Sequence, residues 1–115
     1  MKRITLFLAA AILSCLGVAA QKIFVTDVPT VANLKVYVVS SPVNADLTVY
    51  KANTPIYPGV DENEGIWYFV NMRTTADKTI YYVSNPTIAD LKIYFTTIPT
   101  TAGWRTPSKR HLLAS

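Results

Sequence analysis

Apolar and polar positions recur along this chain with a period of thirteen residues. An aromatic stands at Phe24, Tyr37, Tyr50, Tyr68, Tyr81 and Tyr94, at spacings of 13, 13, 18, 13 and 13. It is preceded by Ile23, Val36, Val49, Trp67, Ile80 and Ile93, and followed by Val25, Val38, Lys51, Phe69, Tyr82 and Phe95. Branched and aromatic residues suit a pleated, packed surface. The pattern therefore predicts six short strands, over residues 22–26, 35–39, 48–52, 66–70, 79–83 and 92–96. Side chains alternate across a strand, so the two flanking columns share one face and the recurring aromatic takes the other. The flanking columns are apolar nearly throughout and predict the core face, with Val36, Val38, Ile80 and Ile93 inward and Thr79 outward. The aromatic's own face carries mostly lysine or threonine before it and valine or threonine after it, a mixture expected to be half-buried.

The connections repeat as well. Five residues after each aromatic come Pro29, Pro42, Pro55, Arg73, Pro86 and Pro99, and eight after it Ala32, Ala45, Pro58, Ala76, Ala89 and Ala102. Proline sets φ and removes a donor, so it ends each strand. The residues that follow suffice for one helical or tight turn, but eight residues are too few for a crossover helix. Asn33, Asp46, Asp77 and Asp90, with Gly59 and Gly103 in the same column, fit turn chemistry. The third connection carries five extra residues and the acidic cluster Asp61, Glu62 and Glu64. The period alone also fits a short β-solenoid or a β meander.

The first twenty residues lie outside the repeat. Lys2 and Arg3, an apolar run over residues 4–18 and the small-residue stretch Val18-Ala19-Ala20 read as a secretory signal peptide of residues 1–20, cut before Gln21. A lipoprotein frame, Ile12-Leu13-Ser14 before Cys15, competes with it. Leu13 is bulky for that motif and no polar tether follows, so lipid anchoring through Cys15 is the less favoured reading. The expected layout is a signal peptide at 1–20, one repeat domain at 21–105 and a flexible basic tail at 106–115. Location is expected to be periplasmic or secreted, with no transmembrane segment in the mature chain.

Processing changes the charge argument. The full chain carries +4, but loss of Lys2 and Arg3 leaves nine basic against seven acidic side chains. A near-neutral exported chain is a poor nucleic-acid binder. Cys15 is the single cysteine, so the mature domain folds without disulfides or thiol chemistry.

Catalytic material is sparse. His111, the sole histidine, sits in the tail, and the sequence has neither a phosphate loop nor a dinucleotide fingerprint. Like-charged carboxylates brought together can share a proton, so a small hydrolase using Asp46, Asp77 and Asp90 is the alternative function; as turn formers they need no such role. Asp61, Asn63 and Glu64 offer alternating oxygens to calcium but lack the spacing of a calcium-binding loop, and no metal or cofactor is expected. The strongest binding feature is the row Tyr37, Tyr50, Tyr81 and Tyr94, with Lys35 and Lys92 two residues before two of them. Such rings stack on sugars or grip an extended chain, and more commonly pack on neighbouring repeats with the hydroxyl in water.

Ala45-Asp46-Leu47-Thr48-Val49-Tyr50, Ala89-Asp90-Leu91-Lys92-Ile93-Tyr94 and the ending Ala102-Gly103-Trp104-Arg105 resemble a family of small exported bacterial proteins classed as a domain of unknown function. Its repeats run Ala-Asp-Leu-Lys-Val-Tyr. Gln21-Lys22-Ile23-Phe24-Val25-Thr26-Asp27 and the insertion before Trp67 match as well. Proline stands where that family usually has a carboxylate, and Val31, Asn44, Thr75, Ile88 and Thr101 where it often has glutamine. The resemblance implies an all-β ring of six repeats whose chain winds as a seven-crossing torus knot. The reading that follows is an exported, non-enzymatic structural or binding element of the cell envelope or extracellular space, with an envelope glycan or a peptide as the candidate partner.

Overall fold

The structure, a computed structural model, describes residues 20–56 and 63–114. Residues 1–19 of the expected leader, with Cys15, and Pro58, Gly59, Asp61 and Glu62 of the insertion lie outside the described residues. The strands are β1 (Gln21–Val25), β2 (Leu34–Val38), β3 (Leu47–Lys51), β4 (Ile66–Phe69), β5 (Lys78–Tyr82), β6 (Leu91–Thr96) and β7 (Gly103–Trp104). Most begin one residue before the expected start, because Leu34, Leu47 and Leu91 pair and are buried.

Six strands form a closed ring in the order β4-β1-β5-β2-β6-β3, with β3 pairing back onto β4. Every seam of the ring is parallel. β7 adds antiparallel to the start of β3, along the edge that β4 leaves free. Parallel neighbours joined directly would need a dozen or more residues between them. Here consecutive strands are not neighbours, except β3 and β4, which are joined by the long third connection, residues 52–65. β1, β2 and β3 take every second place, and β5 and β6 fill the gaps on a second lap. The step from β3 to β4 covers one place rather than two, and it coincides with the longer third connection. Without that odd step, a chain advancing two places at a time would return onto its own first lap.

The register shows how short connections suffice. Ile23 lies opposite Lys78 on one side and Phe69 on the other, so each neighbour is displaced by two residues, and the same stagger recurs at every seam. Two residues of ~3.3 Å rise against a ~4.8 Å strand separation tilt the strands roughly 55° from the barrel axis. A five-residue strand then climbs only roughly 10 Å along that axis while travelling around it. One turn returns the chain to the starting level. Those turns are the 3-10 helices Pro29–Val31, Pro42–Asn44, Arg73–Thr75, Pro86–Ile88 and Pro99–Thr101. Each ends where an alanine N–H (Ala32, Ala45, Ala76, Ala89 or Ala102) donates to the first helical carbonyl at 3.1–3.3 Å.

The column before the aromatic fills the barrel: Ile23, Val36, Val49, Trp67, Ile80 and Ile93 are all 0% exposed, with Leu34, Leu47 and Leu91 beneath them. The column after it does not lie in the core as expected. Val25, Val38, Lys51 and Tyr82 are exposed at the mouth formed by the strand C-termini, and Phe69 and Phe95 are half-buried there. The stagger leaves room for only two enclosed layers, and the third reaches the rim. Thr79, expected outward and exposed, is buried on the outer face beside Asn33.

The segment expected to be a flexible basic tail is tied down. Pro107–Leu113 forms a 3-10 helix, and Leu113 joins the barrel core at 1% exposure. Gln21 Nε2 donates to the Leu113 carbonyl at 2.6 Å, Lys109 pairs with Asp46 at 3.1 Å, and Arg110 pairs with Glu64. Its basic residues meet carboxylates at the strand N-termini, where Leu113 closes the barrel. Among the described residues no helix is long and apolar enough to cross a membrane.

Candidate functional site

The turn carboxylates are seam clamps. The Asp77 side chain accepts from Lys22 N–H at 2.8 Å while the Asp77 N–H donates to Lys22 C=O at 2.7 Å. Asp90 grips Lys35 in the same way (2.8 and 2.7 Å), Asp46 grips Lys92 (2.9 and 2.7 Å), and Asn33 grips Thr79 (2.8 and 2.7 Å). Each clamp serves a different seam, so Asp46, Asp77 and Asp90 are distributed around the barrel, each bonded to the backbone of its own neighbour. Asp46 does more. It accepts from Thr106 Oγ1 at 3.0 Å, and its carbonyl receives the Arg105 and Thr106 N–H groups at 2.8 and 3.0 Å. Burial, the largest single influence on its carboxyl, pushes the pKa up; the Lys92 N–H, Lys109 and Thr106 together outweigh it and hold the pKa below the usual value.

Above the clamps runs the aromatic band. In sequence the order is Tyr37, Tyr50, Tyr81, Tyr94; around the ring it is Tyr81 on β5, Tyr37 on β2, Tyr94 on β6 and Tyr50 on β3, four successive strands. All four are half-buried. The two-residue stagger sets Lys35 opposite Tyr81, Lys92 opposite Tyr37 and Thr48 opposite Tyr94. Lys35 is exposed and Lys92 half-buried. Tyr50 packs with Tyr68 against Ala20, Ala52 and Ile66, so the band's outward-facing part centres on Tyr81, Tyr37 and Tyr94. Rings alternating with ammonium groups can stack on a sugar or peptide while donating hydrogen bonds from hydroxyl and lysine.

The mouth is a second surface, missed because its column was assigned to the core. Lys51 Nζ lies 5.4 Å from the Phe69 ring centre and 5.8 Å from that of Phe95, while Phe69 packs edge-on to Trp67 at 6.0 Å. Tyr82, 37% exposed at this rim, is covered enough that partial desolvation raises its hydroxyl pKa. A lysine interrupting an apolar column was the available signal. Beside the mouth, Tyr68, Phe69, Val70, Asn71, Met72 and Thr75 line an open groove of about 460 Å³.

Asn63 and Glu64, considered above as calcium ligands, are engaged with the C-terminal helix. Asn63 Nδ2 donates to Arg110 C=O at 2.9 Å, Asn63 C=O accepts from Trp104 Nε1 at 2.8 Å, and Glu64 pairs with Arg110. Among the described residues no three His, Cys, Asp or Glu side chains gather as a metal site. His111 lies exposed on the C-terminal helix, Nδ1 3.0 Å from Ser108 C=O.

A closed parallel barrel laid down in two interleaved laps defines a knotted all-β repeat protein. The chain belongs to the septoil knot family: a family model described as "7(1) septoil knot domain" matches residues 20–105. A search of curated proteins finds no match. The C-terminal helix that closes the barrel falls after the matched residues.

Proposed function

We propose that this protein is exported and acts in the envelope or extracellular space as a rigid, non-enzymatic binding element. Its tyrosine–lysine band takes an extended glycan or peptide. The observation that carries this reading is the order of the band: interleaving brings Tyr81, Tyr37 and Tyr94 onto three successive strands, with Lys35 and Lys92 in register between them. The clamps beneath hold the lysine backbones in place, so little ordering accompanies binding. Export is supported by Lys2-Arg3, the apolar run and the small residues that end it.

The test is capture of envelope glycans and peptides by the folded protein, alongside a Tyr37, Tyr81 and Tyr94→Phe triple variant. That variant keeps the rings and removes the hydroxyls. Loss of affinity with unchanged thermal unfolding supports the band. Unchanged binding, or no captured ligand, leaves the band a packing surface. Turnover that disappears in Asp46, Asp77 and Asp90→Asn variants and persists in the tyrosine variant would replace this reading with the hydrolase.

A further inference from the structure

Ala20 belongs to the folded unit. It is 2% exposed, packs with Ala52 and Ile66, and its N–H donates to Pro55 C=O at 2.9 Å. The family match also begins at residue 20. The next residue, Gln21, opens β1 and ties it to the C-terminal helix through Nε2 and the Leu113 carbonyl at 2.6 Å. Its Oε1 is enclosed without a hydrogen-bond partner among the described residues. A cut between Ala20 and Gln21 would remove a buried residue and place a free amine beside this carboxamide.

The sequence contains a second frame one residue earlier. Leader peptidases read small side chains at the third and the last positions before the scissile bond. Gly17-Val18-Ala19 is small at both, whereas Val18-Ala19-Ala20 puts a branched residue at the first of them. We infer that the leader is removed by hydrolysis of the Ala19–Ala20 amide, so that Ala20 is the mature N-terminus and caps Gln21; this rests on the export reading. Water adds across the amide, Ala19 leaves as a carboxylate and Ala20 keeps its nitrogen as an ammonium. The hydrogen bond from the Ala20 nitrogen to Pro55 C=O is one that an ammonium can keep.

The cap has a chemical consequence. An N-terminal glutamine cyclises when its α-amine attacks its own side-chain carbonyl carbon, expelling ammonia and closing a five-membered lactam. Cyclisation of Gln21 would delete Nε2, the donor that holds Leu113. With Ala20 in place the Gln21 nitrogen is an amide and cannot attack, so the link between the first strand and the closing helix persists.

The experiment expresses the full-length chain in an exporting bacterium and determines the intact mass and N-terminal sequence of the exported product. The expected product begins at Ala20 with Gln21 open. A product beginning at Gln21, open or cyclised, or at acylated Cys15, overturns the inference and leaves export standing; an uncut precursor retained in the cytoplasm overturns both. Gly17→Phe is expected to block or move the cut, and Val18→Phe to leave the Ala20 start unchanged. The reverse response refutes the assigned frame. Separately, protein beginning at Ala20 should melt several degrees above protein beginning with cyclised Gln21, and equal melting refutes the capping role.

Discussion

Replacing Gly65 by alanine tests the closure of the barrel at its tightest approach. Gly65 is buried just before β4 with φ +89°. A Cβ there would lie 2.4 Å from the Thr48 carbonyl oxygen, 3.0 Å from Gly103 N and 3.4 Å from Ala102 Cβ. The first two are backbone atoms of β3 and β7, which pair with each other, so they cannot swing aside as a side-chain tip would. Gly65 C=O also accepts from Tyr50 N–H at 2.8 Å, so a shift of this residue loosens the β3–β4 seam. Left-handed backbone costs an L-residue about 1–2 kcal/mol, and overpacking adds about 1–3 kcal/mol. The expected loss is therefore about 2–5 kcal/mol, or a melting temperature lower by at least about 8 °C at about 4–8 °C per kcal/mol for a domain of this size. Gly103 is the control. Its φ is +147°, but a Cβ would meet nothing within 4 Å, so only the backbone penalty applies. Urea unfolding approached from both the folded and the unfolded side measures the two variants at equilibrium. Equal losses at Gly65 and Gly103, or a neutral Gly65→Ala, would refute the steric argument.

Further outcomes follow from the same geometry. Ile80→Ala, at 0% exposure, should cost about 2–5 kcal/mol, while Val38→Ala, at 42% exposure, should stay within about 1 kcal/mol; denaturant midpoints that move equally would mean the rim is misplaced. Leu113→Ala should also cost about 2–5 kcal/mol in thermal unfolding, whereas a frayed tail would show no change. Asp46 contributes stability that is fully present above its unfolded pKa of about 3.9 and is lost as pH falls through its lower folded value. Asp46→Asn should therefore flatten the acid limb of a urea-midpoint profile measured below about pH 5, and an unchanged limb would show that the carboxylate is not coupled to folding.

Much of each repeat was readable before its neighbours were known. The six strands, the proline-started turns and the fully buried column from Ile23 to Ile93 follow from side-chain alternation and from proline's missing donor. Asn33, Asp46, Asp77 and Asp90 were recognisable as turn residues. Their partners were not, because Lys22 and Lys35 lie 55 residues from Asp77 and Asp90, and Thr79 and Lys92 lie 46 residues from Asn33 and Asp46. The basic residues at 109 and 110 looked like a solvated charge run until the fold brought Asp46 and Glu64 to meet them.

A thirteen-residue period states which side chains within a unit face the same way, and here it determined the unit. It does not state which units touch, because every repeat offers nearly the same two edges to every other. Neighbour choice was decided by closure: with six strands in a ring, each strand finds a partner on both sides for its N–H and C=O groups, and β7 covers the part of β3 that β4 leaves free. The odd step between β3 and β4 sends the second lap into the gaps of the first. That step, not the order of residues in the chain, puts Tyr37 between Tyr81 and Tyr94. The stagger of two residues, which no single repeat encodes, sets a lysine in register with Tyr81 and another with Tyr37, and lifts Val25, Val38 and Tyr82 out of the core to the rim.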